Sequence, residues 1–145
     1  MISAASIREQ LVRFAALHPT DVDALEAMRS LLDRLAEPCA RQAFEPGHFT
    51  ASACVLSPSG EDVLLVHHAK LDRWLQPGGH IEAGDSSLLA AARREVAEEC
   101  GVEPLLPEGA TAAPIDLDVH AIPARGSKPR HHHFDVRYAV VVDPG

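Results

Sequence analysis

The sequence predicts an α+β chain: a helical hairpin over residues 1–46, then a mixed β-sheet flanked by helices over residues 47–145. Three observations carry this. Up to residue 35 apolar side chains recur at helical spacing, and from Gly47 the period changes to that of strands. Between the strand segments, Leu88 to Cys100 contains no Gly or Pro and is followed by Gly101, a helix and its stop. With 145 residues the chain is one domain plus at most a small appendage. An apolar fraction of 46% supports a core.

Ile7, Leu11, Phe14 and Leu17 mark a first helix that His18-Pro19 ends. Thr20 is the expected cap of a second, with Asp21 and Asp23 in its first turn, favourable against the dipole. Its stripe is Val22, Leu25, Met28, Leu32 and Leu35, stopping before Pro38. Packing on the following domain is the plain role for this hairpin; a lid or a homodimer contact is the sharper one. Phe49 to Leu56 and Val63 to His67 read as two strands of a hairpin around Ser57-Pro58-Ser59-Gly60. Ala69 to Arg73 is a polar loop leading to Trp74, expected as a packing anchor in preference to a base-stacking platform. Glu103 to Pro114 is a Pro- and Ala-rich loop. Ile115 to Ile122 alternates as a half-buried strand, and Phe134 to Val142 is another, central at its apolar end Val140 to Val142.

A formal charge of −8 argues against a surface that coats nucleic-acid polymers or binds membranes. An anionic substrate would need a metal or a local basic patch to approach. Cys39, Cys54 and Cys100 are odd in number and lack C-x-x-C spacing, as in a cytoplasmic protein with reduced thiols. No apolar run reaches the length of a membrane span.

The stretch Trp74 to Val102 carries the chemistry. Ser86 or Ser87 can cap its helix, on which Glu95, Glu98 and Glu99 fall within one arc of roughly 100° beside the stripe Leu89, Ala92 and Val96. Like charges at these spacings repel, and only Arg93 and Arg94 are near enough to offset them. Glu98 and Glu99 also occupy the last turn, where the dipole disfavours anions by roughly 0.3–1 kcal/mol each. A hard divalent cation resolves both conflicts. Pro77-Gly78-Gly79 before the helix allows close backbone approach to such an ion or to a phosphate.

These residues resemble the Nudix box, G-x5-E-x7-R-E-U-x-E-E-x-G-U, with U a bulky aliphatic residue. Arg94 to Val102 matches throughout, and Trp74 to Gly78 is similar to the family's entry to the box. The resemblance covers about a fifth of the chain. Counted from Gly79, the first glutamate falls on Asp85; counted back from Arg94, on Ser86. The segment is thus one residue longer than the pattern, and the extra residue belongs in the loop Ala83 to Ser86, since inside the helix it would rotate everything before it by about 100°. Either Glu82 or Asp85 could stand in for the missing carboxylate.

The resemblance implies a Nudix-type α/β/α sandwich with mixed β-sheet and a pyrophosphohydrolase dependent on Mg²⁺ or Mn²⁺. Its substrate would be a nucleoside diphosphate linked to another moiety. By analogy, Glu95, Glu98, Glu99 and the Gly79 carbonyl would hold metal that polarises the pyrophosphate and activates water, and Arg94 would orient Glu95. Glu98 or Glu99 is the candidate base, a role the family fills from different places. Nudix folds usually continue with a further strand and a C-terminal helix, whereas this sequence ends at Asp143-Pro144-Gly145, so its C-terminal part looks short. A catalytically weak nucleotide-binding or regulatory module is the alternative, and an interaction protein built on the hairpin a further one.

Pro123 to His133, PARGSKPRHHH, is a basic loop in an acidic chain. Arg125, Lys128 and Arg130 suit substrate phosphate, with a solvated loop the equal alternative. His131, His132 and His133 invite zinc, but adjacent strand residues point to alternate faces and cannot share one ion without distortion.

Overall fold

The structure, a computed structural model, describes residues 1–107 and 112–143. Part of the expected loop Glu103 to Pro114 and the last two residues therefore lie outside the described residues. Helix α1 (Ala4–Leu17) starts at Ser3, whose side chain accepts from the Ser6 amide at 3.1 Å. Helix α2 (Asp23–Arg34) starts later than expected, with Val22 at the cap position and no side-chain cap bond. Thr20 does not cap it, because the chain is still turning there: the Asp21 amide donates back to the His18 carbonyl at 3.2 Å. Asp23 and Glu26 keep the favourable charge in the first turn. Ile7, Leu11 and Phe14 of α1 and Leu25, Met28, Leu31 and Leu32 of α2 are buried in one core with the sheet.

The strands follow as β1 (Gly47–Leu56), β2 (Val63–Leu64), β3 (Val66–His68), β4 (Arg73–Leu75) and β5 (Gly78–His80). After helix α3 (Leu88–Cys100) come β6 (Asp116–Ile122) and β7 (His131–Val141). The main sheet runs β2-β1-β7-β6, with β5 also paired to β1. Strands β1 and β7 are parallel, from Gly47 beside His132 to Leu56 beside Val141, and the other pairs are antiparallel. A mixed sheet with three helices bears out the α+β class.

Alternation sorts the two faces. Phe49, Ala51, Ala53 and Val55 of β1 lie beside Phe134, Val136, Tyr138 and Val140 of β7, all buried. Against this face α3 buries Leu88, Ala91, Ala92 and Val96, and the Tyr138 hydroxyl donates to Gln10 of α1 at 2.7 Å. The other face is polar: Asp135 accepts from Thr50 at 2.8 Å and from Ser52, and Arg137 reaches Ser52 and Asp116. Thr50, Ser52 and Asp135 are tolerable there because they satisfy one another.

Two local expectations are corrected. Val63 to His67 is not one strand: β2 stays on β1 for two residue pairs, and after Leu65 the chain turns away as β3, which pairs only with β4. Trp74 rides on that small ribbon and is 66% exposed, its ring against His67, so it is no core anchor. A strand outside the main sheet offers no interior to pack into.

Candidate active site

The box places backbone directly beneath carboxylates. A side chain on Gly78 would meet the Ser52 Cα and the Ala51 carbonyl oxygen, both at 2.8 Å, so glycine lets β5 lie close on β1. Gly79, beside Ala51, faces α3: a Cβ there would stand 2.6 Å from Glu95 Oε1. The next turn of α3 brings Glu99, whose carboxyl lies beside that of Glu95 and near the Gly78 amide. Partial burial of that carboxyl, then the charge of Glu95, push it up to about 7, although the residue as a whole is exposed. Glu95 and Glu99 side by side over a glycine backbone offer oxygen donors of the kind a hard divalent cation takes, whereas Glu98 is held by Arg94 and is not gathered within 4.8 Å of both.

Helix α3 keeps the register that this requires. Ser87 is its cap, accepting from the Ala90 amide at 3.0 Å, and Gly101 closes it in the left-handed conformation with φ of 71°. No basic residue stands in its last turn, and the cation that offsets Glu98 is Arg94 from the turn before. Arg93 turns away to Glu103 and the Pro104 carbonyl.

Arg94 is the hub. It donates to Asp85 twice, at 2.9 and 3.0 Å, to the His80 carbonyl at 2.9 Å, to Glu95 at 3.0 Å and to Glu98 at 3.1 Å. The Asp85 hydrogen bond foremost holds the guanidinium well above its usual range. Burial raises the Asp85 carboxyl, but the Arg94 hydrogen bonds and the Glu82 amide outweigh it and leave it below the ordinary value. Of the two carboxylates left open by the sequence, Asp85 is the one engaged: its side chain is 6% exposed, whereas Glu82 is 59% exposed and 3.5 Å from Arg94.

Arg125, Lys128 and Arg130 are all exposed. Arg125 and Lys128 close a tight turn by mutual backbone bonds of 2.9 and 3.0 Å around Gly126, whose φ is 58°. Arg130 lines an open pocket with Arg34, Phe44 and Pro46, and the charge of Lys128 reaches His48 and His80.

The histidines of β7 alternate between faces as expected, so His131, His132 and His133 do not gather as one set. His131 and His133, two apart on β7, share a side; their partners are His48 and His80, which sequence reasoning did not single out. The signal was strand order: His48 lies beside His133 in the parallel β1–β7 register. Burial foremost, then neighbouring cationic groups and histidines, lowers His48, His80 to about 4 and His133 to about 3.

The family model described as "NUDIX domain" matches residues 47–145. The m7GpppN-mRNA hydrolase NUDT17 of Homo sapiens is 33% identical over 121 residues, covering 78% of this chain and 36% of that protein. Its Bos taurus namesake is 35% identical over 98 residues, covering 62% and 31%. The chain thus spans about a third of the length of the curated relatives it matches. Among solved structures, a NUDIX hydrolase from Nitrosomonas europaea is 24% identical, with a TM-score of 0.41, over 66% of this chain and 60% of its own.

Proposed function

The chain belongs to the Nudix family, and from that premise we propose that it is a divalent-metal-dependent hydrolase of the pyrophosphate bond in a nucleoside diphosphate linked to another moiety. The observation that carries the reading is the meeting of Glu95 and Glu99 over the Gly78-Gly79 backbone, braced by Arg94 on Asp85. The relatives' printed names, hydrolases of m7GpppN-mRNA, support chemistry on a nucleotide-linked phosphate bridge. We assign catalysis to residues 47–145 and treat residues 1–46 as an attached hairpin, a division the family match at residue 47 supports.

Glu95, Glu98, Glu99 and the Gly79 carbonyl are the groups that would hold Mg²⁺ or Mn²⁺. When bound, the ion supplies positive charge and Lewis acidity toward the pyrophosphate oxygens. Arg94 fixes Glu95 and Glu98, so the helix carboxylates enter the reaction already oriented. Glu98 or Glu99 would take a proton from attacking water, where substitution at one phosphorus splits the P–O–P bridge. Arg125, Lys128 and Arg130 would hold the substrate's phosphates, with Glu82 at the exposed rim.

A nucleotide-binding or regulatory module would show the same geometry without turnover, and the one-residue-longer box favours keeping that reading in view. Hydrolysis of a panel of nucleotide sugars, dinucleotides, oxidised nucleoside triphosphates and coenzyme derivatives, with Mg²⁺ and with Mn²⁺, separates them. Metal-dependent products identified by mass support the hydrolase; tight binding of a panel member with no product supports the module.

A further inference from the structure

On the polar face of the sheet, one ligand nitrogen from each of His48, His80 and His133 lies within 4.8 Å of the others, the one such group of potential metal donors among the described residues. His48 is fully buried, and its Nε2 has no hydrogen-bond partner. An unpaired buried nitrogen is costly unless something absent from the protein satisfies it. The Nδ1 of the same ring meets the Ala43 carbonyl at 3.1 Å. A carbonyl only accepts, so Nδ1 carries the proton and the Nε2 lone pair is free, as in a ligand histidine held by a backbone carbonyl.

We propose that His48, His80 and His133 form a second metal site, for zinc or a related transition cation, separate from the glutamates of the box. Three neutral imidazoles suit Zn²⁺, Co²⁺ or Ni²⁺ and not the hard Mg²⁺, which takes oxygen. Tetrahedral Zn–N bonds of about 2.0–2.1 Å place ligand nitrogens about 3.3–3.4 Å apart. Small ring movements from the observed spacing reach that value. Three protein ligands leave the fourth position to water.

Arg41 guards the site. Its Nη2 lies 2.9 Å from His80 Nδ1, and a guanidinium only donates, so Nδ1 accepts. A metal at Nδ1 must displace Arg41, and a metal at Nε2 needs the ring proton moved to the nitrogen that Arg41 occupies. Arg41 is exposed, so a displaced guanidinium would return to water. The site touches the box through one residue: the His80 side chain points to this face while its carbonyl accepts from Arg94.

The experiment titrates the full chain with Co²⁺, following visible absorption, and with Zn²⁺ by competition. One ion per chain giving the intense absorption of four-coordinate cobalt is expected, any Co²⁺ on the oxygen donors of the box absorbing only weakly. His80→Ala and His133→Ala, each checked for an intact fold by thermal melting, should weaken binding by about tenfold or more. Arg41→Ala should tighten it, and Glu98→Gln should leave it unchanged. The proposal is overturned by absence of stoichiometric binding, by binding that the two histidine variants retain, or by binding that Glu98→Gln removes. Inorganic phosphate bound at this face and lost in Arg41→Ala, with no cobalt signal, would make it an anion site and equally overturn it.

Discussion

Asp85 and Arg94 face each other through two hydrogen bonds, Oδ1 to Nε at 2.9 Å and Oδ2 to Nη2 at 3.0 Å. The pair joins the loop before α3 to the helix that carries the glutamates. A bidentate, nearly buried carboxylate fixes a guanidinium in orientation as well as charge.

Asp85→Asn should therefore reduce turnover on the order of 10–100-fold, while Glu82→Gln stays near the unsubstituted rate. Steady-state kinetics on one substrate decides it; equal losses in both would show that Asp85 holds no special place.

The same pair makes stability depend on pH. Because the folded Asp85 carboxyl lies below its ordinary value of 3.8, its contribution is present above that value and is lost as pH falls through the lower folded one. Asp85→Asn should be less stable by about 1–3 kcal/mol at pH near 7, a gap that closes in strong acid. Denaturant unfolding of both proteins across pH checks this.

The two glycines of the box should respond differently. Gly79→Ala presses on the carboxylate end of Glu95, a flexible group that can move, so the fold should survive while Mg²⁺ affinity and turnover fall. Gly78→Ala presses on the backbone of β1, which cannot move, so thermal stability should fall by about 1–3 kcal/mol. Melting temperatures measured beside Mg²⁺ affinity distinguish the two; a Gly79→Ala protein with normal affinity would contradict the cradle.

Neutralising Arg125, Lys128 and Arg130 together should raise KM more than it lowers kcat, since uniform binding of phosphate is what is lost. Unchanged kinetics with the best panel substrate would return these three exposed side chains to solvent.

What the sequence made legible follows from how local each signal is. The helix Leu88–Cys100, its Ser87 cap and its Gly101 stop are set by neighbours in the chain, and they stand where the pattern put them. The glutamate face follows from that helix alone. The choice of Asp85 over Glu82 was not legible, because it depends on how a loop folds back on Arg94. Trp74 departs from the sequence pattern for a related reason: a large apolar residue near strands is core only if its strand joins the main sheet, and β4 does not. The histidine cluster needed the parallel pairing of β1 with β7, a contact between residues 85 positions apart in the chain, as in the pair His48 and His133.

The most direct test is a calorimetric Mg²⁺ titration of the protein and of Glu98→Gln. Magnesium is the right probe because it ignores the imidazoles and reports the carboxylates alone. The glutamate-cluster account predicts that Glu98→Gln weakens Mg²⁺ by about tenfold or more while the fold is kept. Equal Mg²⁺ affinity in the two proteins would contradict it.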